Sequence, residues 1–282
     1  MKLPPRLRRF ARHIAHETAL GRAAMVGPRA ASAIRSVGRN LVRIPNWLWA
    51  SREVGDFSYR TTAQSNIALC GVVSAVSGVP LGTVIGFLDE FDASNGLDDY
   101  VRARHASLKS KWTLDPQFRP ARRLAYYLLI RALKPAFIVE AGVNNGLGAI
   151  LISEALRRNG TGDYLGIEFD PGRDCALHRD YPGKVGSIVY GDSAAVLATL
   201  ERPVDFFVHD TTTERNHVAA QLKALKLSPR GVLFSTWFDP QFVDYARAHD
   251  MGLLVHADEP FQHWYPGSRV TIVYPRPGAQ PQ

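Results

Sequence analysis

Residues 136–148 read Ala-Phe-Ile-Val-Glu-Ala-Gly-Val-Asn-Asn-Gly-Leu-Gly, and this stretch constrains the fold more than any other. An apolar run ends in a carboxylate, Glu140, and then meets three glycines, Gly142, Gly146 and Gly148. Apolar residues at helical spacing follow at once, at Leu147, Ile150, Leu151 and Ala155. The pattern is a buried strand feeding a glycine turn that opens a helix, which is how open α/β sheets bind nucleotides. Glycine lets the backbone take positive φ and approach a ligand closely. The helix beyond contributes free N–H groups and the positive end of its dipole.

The glycine order, E-x-G-x-x-x-G-x-G, departs from the G-x-G-x-x-G of dinucleotide sites, where the second glycine admits a pyrophosphate. Further strands are expected at Tyr164–Glu168, Ser187–Tyr190, Val204–Asp210, Gly231–Thr236, Gly252–His256 and Arg269–Tyr274, with a helix at Glu214–Lys226. Glu168 ends the second strand, where an acid hydrogen-bonds ribose hydroxyls in nucleotide-binding sheets. Gly191-Asp192-Ser193 follows the third, and His209-Asp210 ends the fourth. Any one of these acids could be an ordinary strand-end residue. Four of them (Glu140, Glu168, Asp192 and Asp210) along one sheet edge form a pattern.

The turn resembles motif I of the class I S-adenosylmethionine (SAM) methyltransferases, and the resemblance covers roughly residues 136–275. More loosely, the chain from Asp56-Phe-Ser-Tyr59 onward resembles a group of bacterial methyltransferases of uncertain substrate, with a His-Asp at the fourth strand and a late His-Trp-Tyr-Pro-Gly, here His263–Gly267. The resemblance implies an α/β fold: a Rossmann-like seven-stranded sheet with helices on both faces, closed by an antiparallel terminal pair and preceded by an N-terminal helical segment. It implies SAM as cofactor, with Glu140, Gly142, Asn144, Gly146, Glu168, Asp192 and Ser193 around it. His209 and Asp210 would face the methyl group and the acceptor. After Asp210 the chain departs from its relatives' Asp-Ser-Asp-His and reads Thr211-Thr212-Thr213-Glu214, which motivates a competing reading as a non-catalytic scaffold of the same fold.

With 282 residues, one large or two modest domains are allowed. Two cysteines, Cys70 and Cys175, speak against a disulfide framework and for a reducing compartment, hence a cytoplasmic protein. Neither they nor the histidines show zinc-ligand spacing. The net charge of +8 is unevenly placed: residues 1–45 hold ten Lys/Arg against the single acid Glu17, leaving the remainder near −1. The basicity belongs to an arm, so a nucleic-acid footprint on the body is not indicated. Two stretches of the arm are amphipathic, one through Leu7, Phe10, Ala11 and Ile14 and one through Ile34, Val37, Leu41 and Val42. Such a face beneath arginines suits the inner surface of a membrane, an oligomer contact or RNA, and no run approaches the roughly 20 apolar residues that span a bilayer.

The expected organisation is a basic arm at 1–45, a helical segment at 46–135, a core at 136–275 and a disordered tail at 276–282. Pro45-Asn46-Trp47 marks the change from arm to body. Four helices are expected in the segment, at about 61–77, 81–91, 97–111 and 120–133, acting as a lid or homo-oligomer contact. Methyl transfer needs an oriented acceptor, exclusion of water and removal of one proton. A histidine suits the last task, and His209 is preferred to His217 and His263. Divalent-metal assistance is the less favoured variant, because the fifth strand ends Ser235-Thr236-Trp237-Phe238-Asp239 with an incomplete set of hard oxygens, and no metal ligands are assigned. No Asp/Asn-Pro-Pro-Tyr segment is present, so exclusion favours a small-molecule or saccharide hydroxyl as acceptor, with a nitrogen as the alternative.

Overall fold

The computed structural model describes residues 18–19, 23, 26–50, 58–93, 95–109, 117–177, 181 and 186–276. The first stretch of the arm, through Leu7 to Ile14, the residues Asp56 and Phe57, and the tail from 277 lie outside the described residues. The chain divides into two compact units, Met1–Ser51 with Gln262–Tyr265, and Arg52–Phe261 with Pro266–Gln282.

In the first unit one long helix, α1 (Val26–Ala50), carries most of the described part of the arm. The composition change at Pro45 is not an element boundary. The helix continues through this proline to Ala50, although a proline there removes one intrahelical hydrogen bond. Trp47 packs edge-on against Trp264 and His263, at centroid distances of 5.3 and 6.4 Å, and Arg43 donates to the His263 carbonyl at 3.2 Å.

The second unit is built on a seven-stranded sheet. Its strands are β1 (Phe137–Ala141), β2 (Asp163–Glu168), β3 (Ser187–Tyr190), β4 (Val204–His209), β5 (Leu227–Ser235), β6 (Gly252–Ala257) and β7 (Arg269–Tyr274). They lie in the order β3-β2-β1-β4-β5-β7-β6, parallel except for β7, which runs antiparallel to both neighbours. The Rossmann-like α/β sheet read from the sequence, including its antiparallel closing pair, is therefore the one observed. Strand alternation divides the core into two layers. Ile138, Phe206, Val208, Val232 and Phe234 pack against the helices that precede β1 and the one that follows it, while Val139, Ala141, Phe207 and Leu233 pack on the opposite face.

The helices before the sheet are α2 (Ala63–Ser77), α3 (Leu81–Asp92), α4 (Asn95–Ser107) and α5 (Leu124–Leu133), the last preceded by one 3₁₀ turn at Ala121–Arg123. The expected signals set the ends of α2: the Thr62 hydroxyl accepts from the Ser65 N–H at 3.2 Å, and Gly78 closes the helix at φ 71°. The last helix of the segment expected as a lid or oligomer contact forms part of the core. Residues Leu124 to Arg131 are all buried, and α5 packs on α2 and on α6 (Leu147–Asn159), the helix that follows the glycine turn. Tyr59, Tyr126 and Tyr127 belong to this interior. Tyr59 donates to Asp258 at 2.8 Å, and the Thr62 N–H reaches the Glu259 carbonyl at 2.8 Å, joining the helical layer to the loop between β6 and β7.

Glu140 shows how tightly the layers close. Its position in β1 points it into the α5–α6 layer, where Tyr164 donates to it at 2.5 Å and a side chain at Gly148 would overlap it. Burial pushes its carboxyl up to about 8, against the pull of the Tyr164 hydrogen bond. The folded protein therefore holds a proton at neutral pH that the unfolded chain, with an ordinary value near 4.3, has released.

Two outcomes follow for stability. Leu128→Ala, deep in α5, should cost about 2–5 kcal/mol in urea denaturation, and an unchanged midpoint would place the helix outside the cooperative unit. Because the folded value of Glu140 is raised, its effect on stability worsens as pH rises from about 4.3 to about 8. Glu140→Gln should remove this component, so the stability difference between variant and wild type should grow in the variant's favour by up to about 1.4 kcal/mol per pH unit across that window. A pH-independent difference would contradict a protonated Glu140.

Candidate active site

The carboxyl ends of β1, β2, β3 and β4 meet at one cleft of about 510 Å³, lined by Gly142, Asn144, Glu168, Asp192, Ser193 and Asp210 together with Ile167, Phe169, Arg173, Gly191, Thr211, Thr212 and His217. This is the edge at which open α/β sheets take ligands. The floor depends on Gly142. It sits at φ +92°, and a Cβ there would overlap the Asp210 carbonyl, so the β1 turn and the end of β4 are packed backbone to backbone. Asn144, at φ +50°, turns its N–H onto Glu168 Oε2 at 2.7 Å, while the Asp170 N–H reaches Oε1 at 3.1 Å. Each oxygen of this buried carboxylate is thus held by one backbone donor and keeps a lone pair for a further one.

Asp192 caps the short helix α7 (Ser193–Thr199), accepting from the Ala195 N–H at 2.8 Å, and its other oxygen lies 3.6 Å from Nδ1 of His217. His217 stands on α8 (Arg215–Ala224), and its Nε2 is 3.1 Å from the Ser193 hydroxyl. Asp210, the first residue past β4, carries the densest set of partners. Arg122 lies at 3.2 Å and Arg123 at 3.7 Å, and Thr236 donates at 2.7 Å. Burial by itself would raise this carboxyl, but the two guanidinium groups and the hydroxyl outweigh it and hold it below the usual carboxylate range.

Three of the residues read from the sequence do not reach the cleft. Glu140 lies beneath it, as described. Gly146 caps α6 at φ +82° and faces inward, where a side chain would overlap Cys175 Sγ; its role is to let the turn pack on the Cys175–Leu177 segment. His209 is the main correction. Alternation along β4 sends its ring into the opposite layer, fully buried between Trp237 and Phe242 at 5.8 and 5.6 Å, while Asp210, one residue on, turns into the cleft. Burial lowers the histidine's pKa, partly offset by its bond to Gln221. Nδ1 meets the Gln221 side-chain oxygen at 2.7 Å, and the Gln221 amide nitrogen reaches Ser193 at 2.5 Å and His217 at 3.1 Å. His209 therefore stands behind the cleft wall, which it reaches through Gln221 and, at 3.5 Å, through the Thr211 hydroxyl.

Arg122, Arg123 and Gln221 were not among the site residues read from the sequence, and His217 stood there only behind His209. A signal for the arginines existed: two adjacent cations at the head of the apolar run Leu-Ala-Tyr-Tyr-Leu-Leu require a buried counter-charge. His263, Trp264 and Tyr265 belong to the first unit with α1. Among the described residues no group of three or more His, Cys, Asp or Glu is placed to hold a metal ion, and Asp210 is already held by two guanidinium groups.

Residues 139–235 match the methyltransferase-domain family. No curated protein matches the chain. Among solved structures, an O-methyltransferase from Bacillus cereus in complex with S-adenosylhomocysteine is 17% identical, with a TM-score of 0.45, over 76% of this chain and 100% of that one. The O-methyltransferase of tomaymycin synthesis from Streptomyces achromogenes, in complex with SAM, is 16% identical, with a TM-score of 0.44, over 65% and 90%. A Podospora anserina methyltransferase with S-adenosylhomocysteine bound is 15% identical, with a TM-score of 0.45, over 65% and 88%. By the family match and by its strand order, the chain carries a class I SAM-dependent methyltransferase domain across residues 139–235.

Proposed function

We propose that the protein transfers a methyl group from SAM to a hydroxyl oxygen of a small molecule or saccharide. The observation that carries this reading is the cleft itself: Glu168, Asp192 and Asp210 converge with Gly142 on one space at the sheet edge. Its volume falls within the range of about 300–1,000 Å³ usual for small-ligand sites. Asp210 is answered by Arg122 and Arg123, which leaves Glu168 and Asp192 against Arg173 among the described residues of the wall and favours a cationic ligand over a phosphate. The residues thus fit SAM, which supplies when bound a methyl group on a sulfonium and a thioether leaving group.

In this reading Glu168, fixed through both oxygens by backbone donors, accepts the ribose hydroxyls. Gly142 and Asn144 form the wall that the backbone can bring closest, and Asp192 and Ser193 hold the base end. Asp210 stays ionised at neutral pH between Arg122 and Arg123, and its part is to hold charge in place beside the cationic ligand; with so low a proton affinity it is a poor base. The proton acceptor assigned is His217, the histidine on the cleft wall, steadied by Ser193 and Gln221. His209 is a positioning residue that orients Gln221 from behind.

Titration calorimetry with SAM is the primary test. The folded wild type should bind, and Glu168→Gln should weaken binding roughly tenfold or more, the loss of about 1.5–3 kcal/mol expected for a charged hydrogen bond. No binding by folded wild type would overturn the enzyme reading in favour of the scaffold. For the proton, His217→Ala should lower kcat about 10²–10⁴-fold with SAM affinity nearly unchanged. His209→Ala should act less strongly and through Gln221. If His217→Ala weakens SAM binding and spares turnover, its imidazole belongs to the cofactor subsite and the assignment of the base is wrong.

A further inference from the structure

We propose that α1 is an interfacial helix that binds the surface of an anionic lipid bilayer. It is independent of the methyl-transfer reading, since it rests only on the first unit.

At 100° per residue, Val26, Ala30, Ile34, Val37, Leu41, Ile44 and Leu48 fall on one arc of the helix, flanked by Val42 and Trp49. Arg35 and Arg43 fall on the opposite arc and Arg29 at the edge of the apolar one, and the helix contains no acid. Over 25 residues this is a surface about 37 Å long. Soluble helices of this pattern bury the apolar arc in a core. Here it is open: Ile34 is 68% exposed, Val42 76% and Trp49 90%, with Val37, Leu41 and Leu48 all more than half exposed.

The packing within the unit explains which side is left uncovered. The helix meets the Gln262–Tyr265 segment through Arg43, on the polar arc, and Trp47, between the two arcs. The contact therefore fixes the helix by its polar side and presents the apolar arc outward.

Charge selects the occupant. A second copy of α1 would cover the apolar arc but bring more arginines and no carboxylate to answer them. RNA would answer the arginines and leave the apolar arc bare. An anionic bilayer satisfies both, with the apolar residues at the acyl boundary, Trp49 at the headgroup level and Arg29 and Arg35 reaching the lipid phosphates. No described helix is long and apolar enough to cross a membrane, so attachment lies in the interface plane.

The test is flotation of the full chain with vesicles of phosphatidylcholine alone or of phosphatidylcholine with 30% phosphatidylglycerol. The protein should float with the anionic vesicles, bind at least tenfold less to the neutral ones, and be partly released by about 0.5 M salt, where screening shortens the reach of the arginines. The double variant Ile34→Asp, Leu41→Asp alters only exposed side chains. It should lose flotation more than tenfold while keeping the wild-type melting temperature and the same response to SAM. Equal flotation of variant and wild type, or no binding to anionic vesicles at low salt, would overturn the proposal. A wild-type dimer that the variant dissolves, without vesicle binding, would assign the arc to a second copy. Tight RNA binding unaffected by the variant, again without vesicle binding, would assign the arginines to nucleic acid.

Discussion

The contact on which the rest of the molecule depends is the one between Gly142 and the carbonyl of Asp210. It allows no side chain at 142 and requires positive φ there, so only glycine places the end of β1 directly against the end of β4. Three consequences follow. The turn that opens α6 is pinned to the sheet edge, Asp210 is turned away from β4 into the cleft, and the Asn144 N–H is brought onto Glu168. The cleft is therefore made by backbone approach first and by side-chain chemistry second.

Strand alternation then decides which polar groups serve the cleft and which serve the interior. Glu140 lies in β1 and Asp210 just past the neighbouring β4, yet one carboxyl is buried beneath Tyr164 and raised, while the other is buried between guanidinium groups and lowered. Both are desolvated, and only the neighbours differ. A carboxyl beside a neutral phenol relieves the cost of burial by keeping its proton, whereas one beside Arg122 and Arg123 relieves it by pairing. The same sheet edge thus holds one neutral acid as structure and one ionised acid as part of the site.

The strands were legible because their periodicity is short and their ends carry glycine or an acid. β3 and β7 fall where the apolar runs begin and stop, and β1, β2 and β4 agree to within a residue or two. The caps of α2 were equally plain, since Thr62 and Gly78 act through the backbone next to them. What escaped was the direction of side chains at strand ends. His209 and Asp210 are adjacent in sequence, and no local pattern says which faces the ligand; the answer lies in the layer that each one meets, formed by Phe242 and Gln221 for the histidine and by Arg122 for the aspartate. The packing of the helical segment was hidden for a related reason. Its apolar face was visible, but that α5 is buried on every side becomes evident only when α2 and α6 enclose it.

The placement of charge connects the two units to the chemistry. A net +8 spread over the body would set cations against the carboxylates that line the cleft, within the roughly 8 Å over which charges act at physiological salt. It is not spread in this way. Residues 1–45 carry all of the excess, and the remaining chain, including Glu168, Asp192 and Asp210, is close to neutral overall. Of the cations near the site, Arg122 and Arg123 are turned onto Asp210, and Arg173 on the cleft wall lies 3.6 Å from Asp170. A cleft that keeps a negative wall can attract a sulfonium, and a separate basic helix can attract an anionic surface, because the two fields are carried by different parts of the chain.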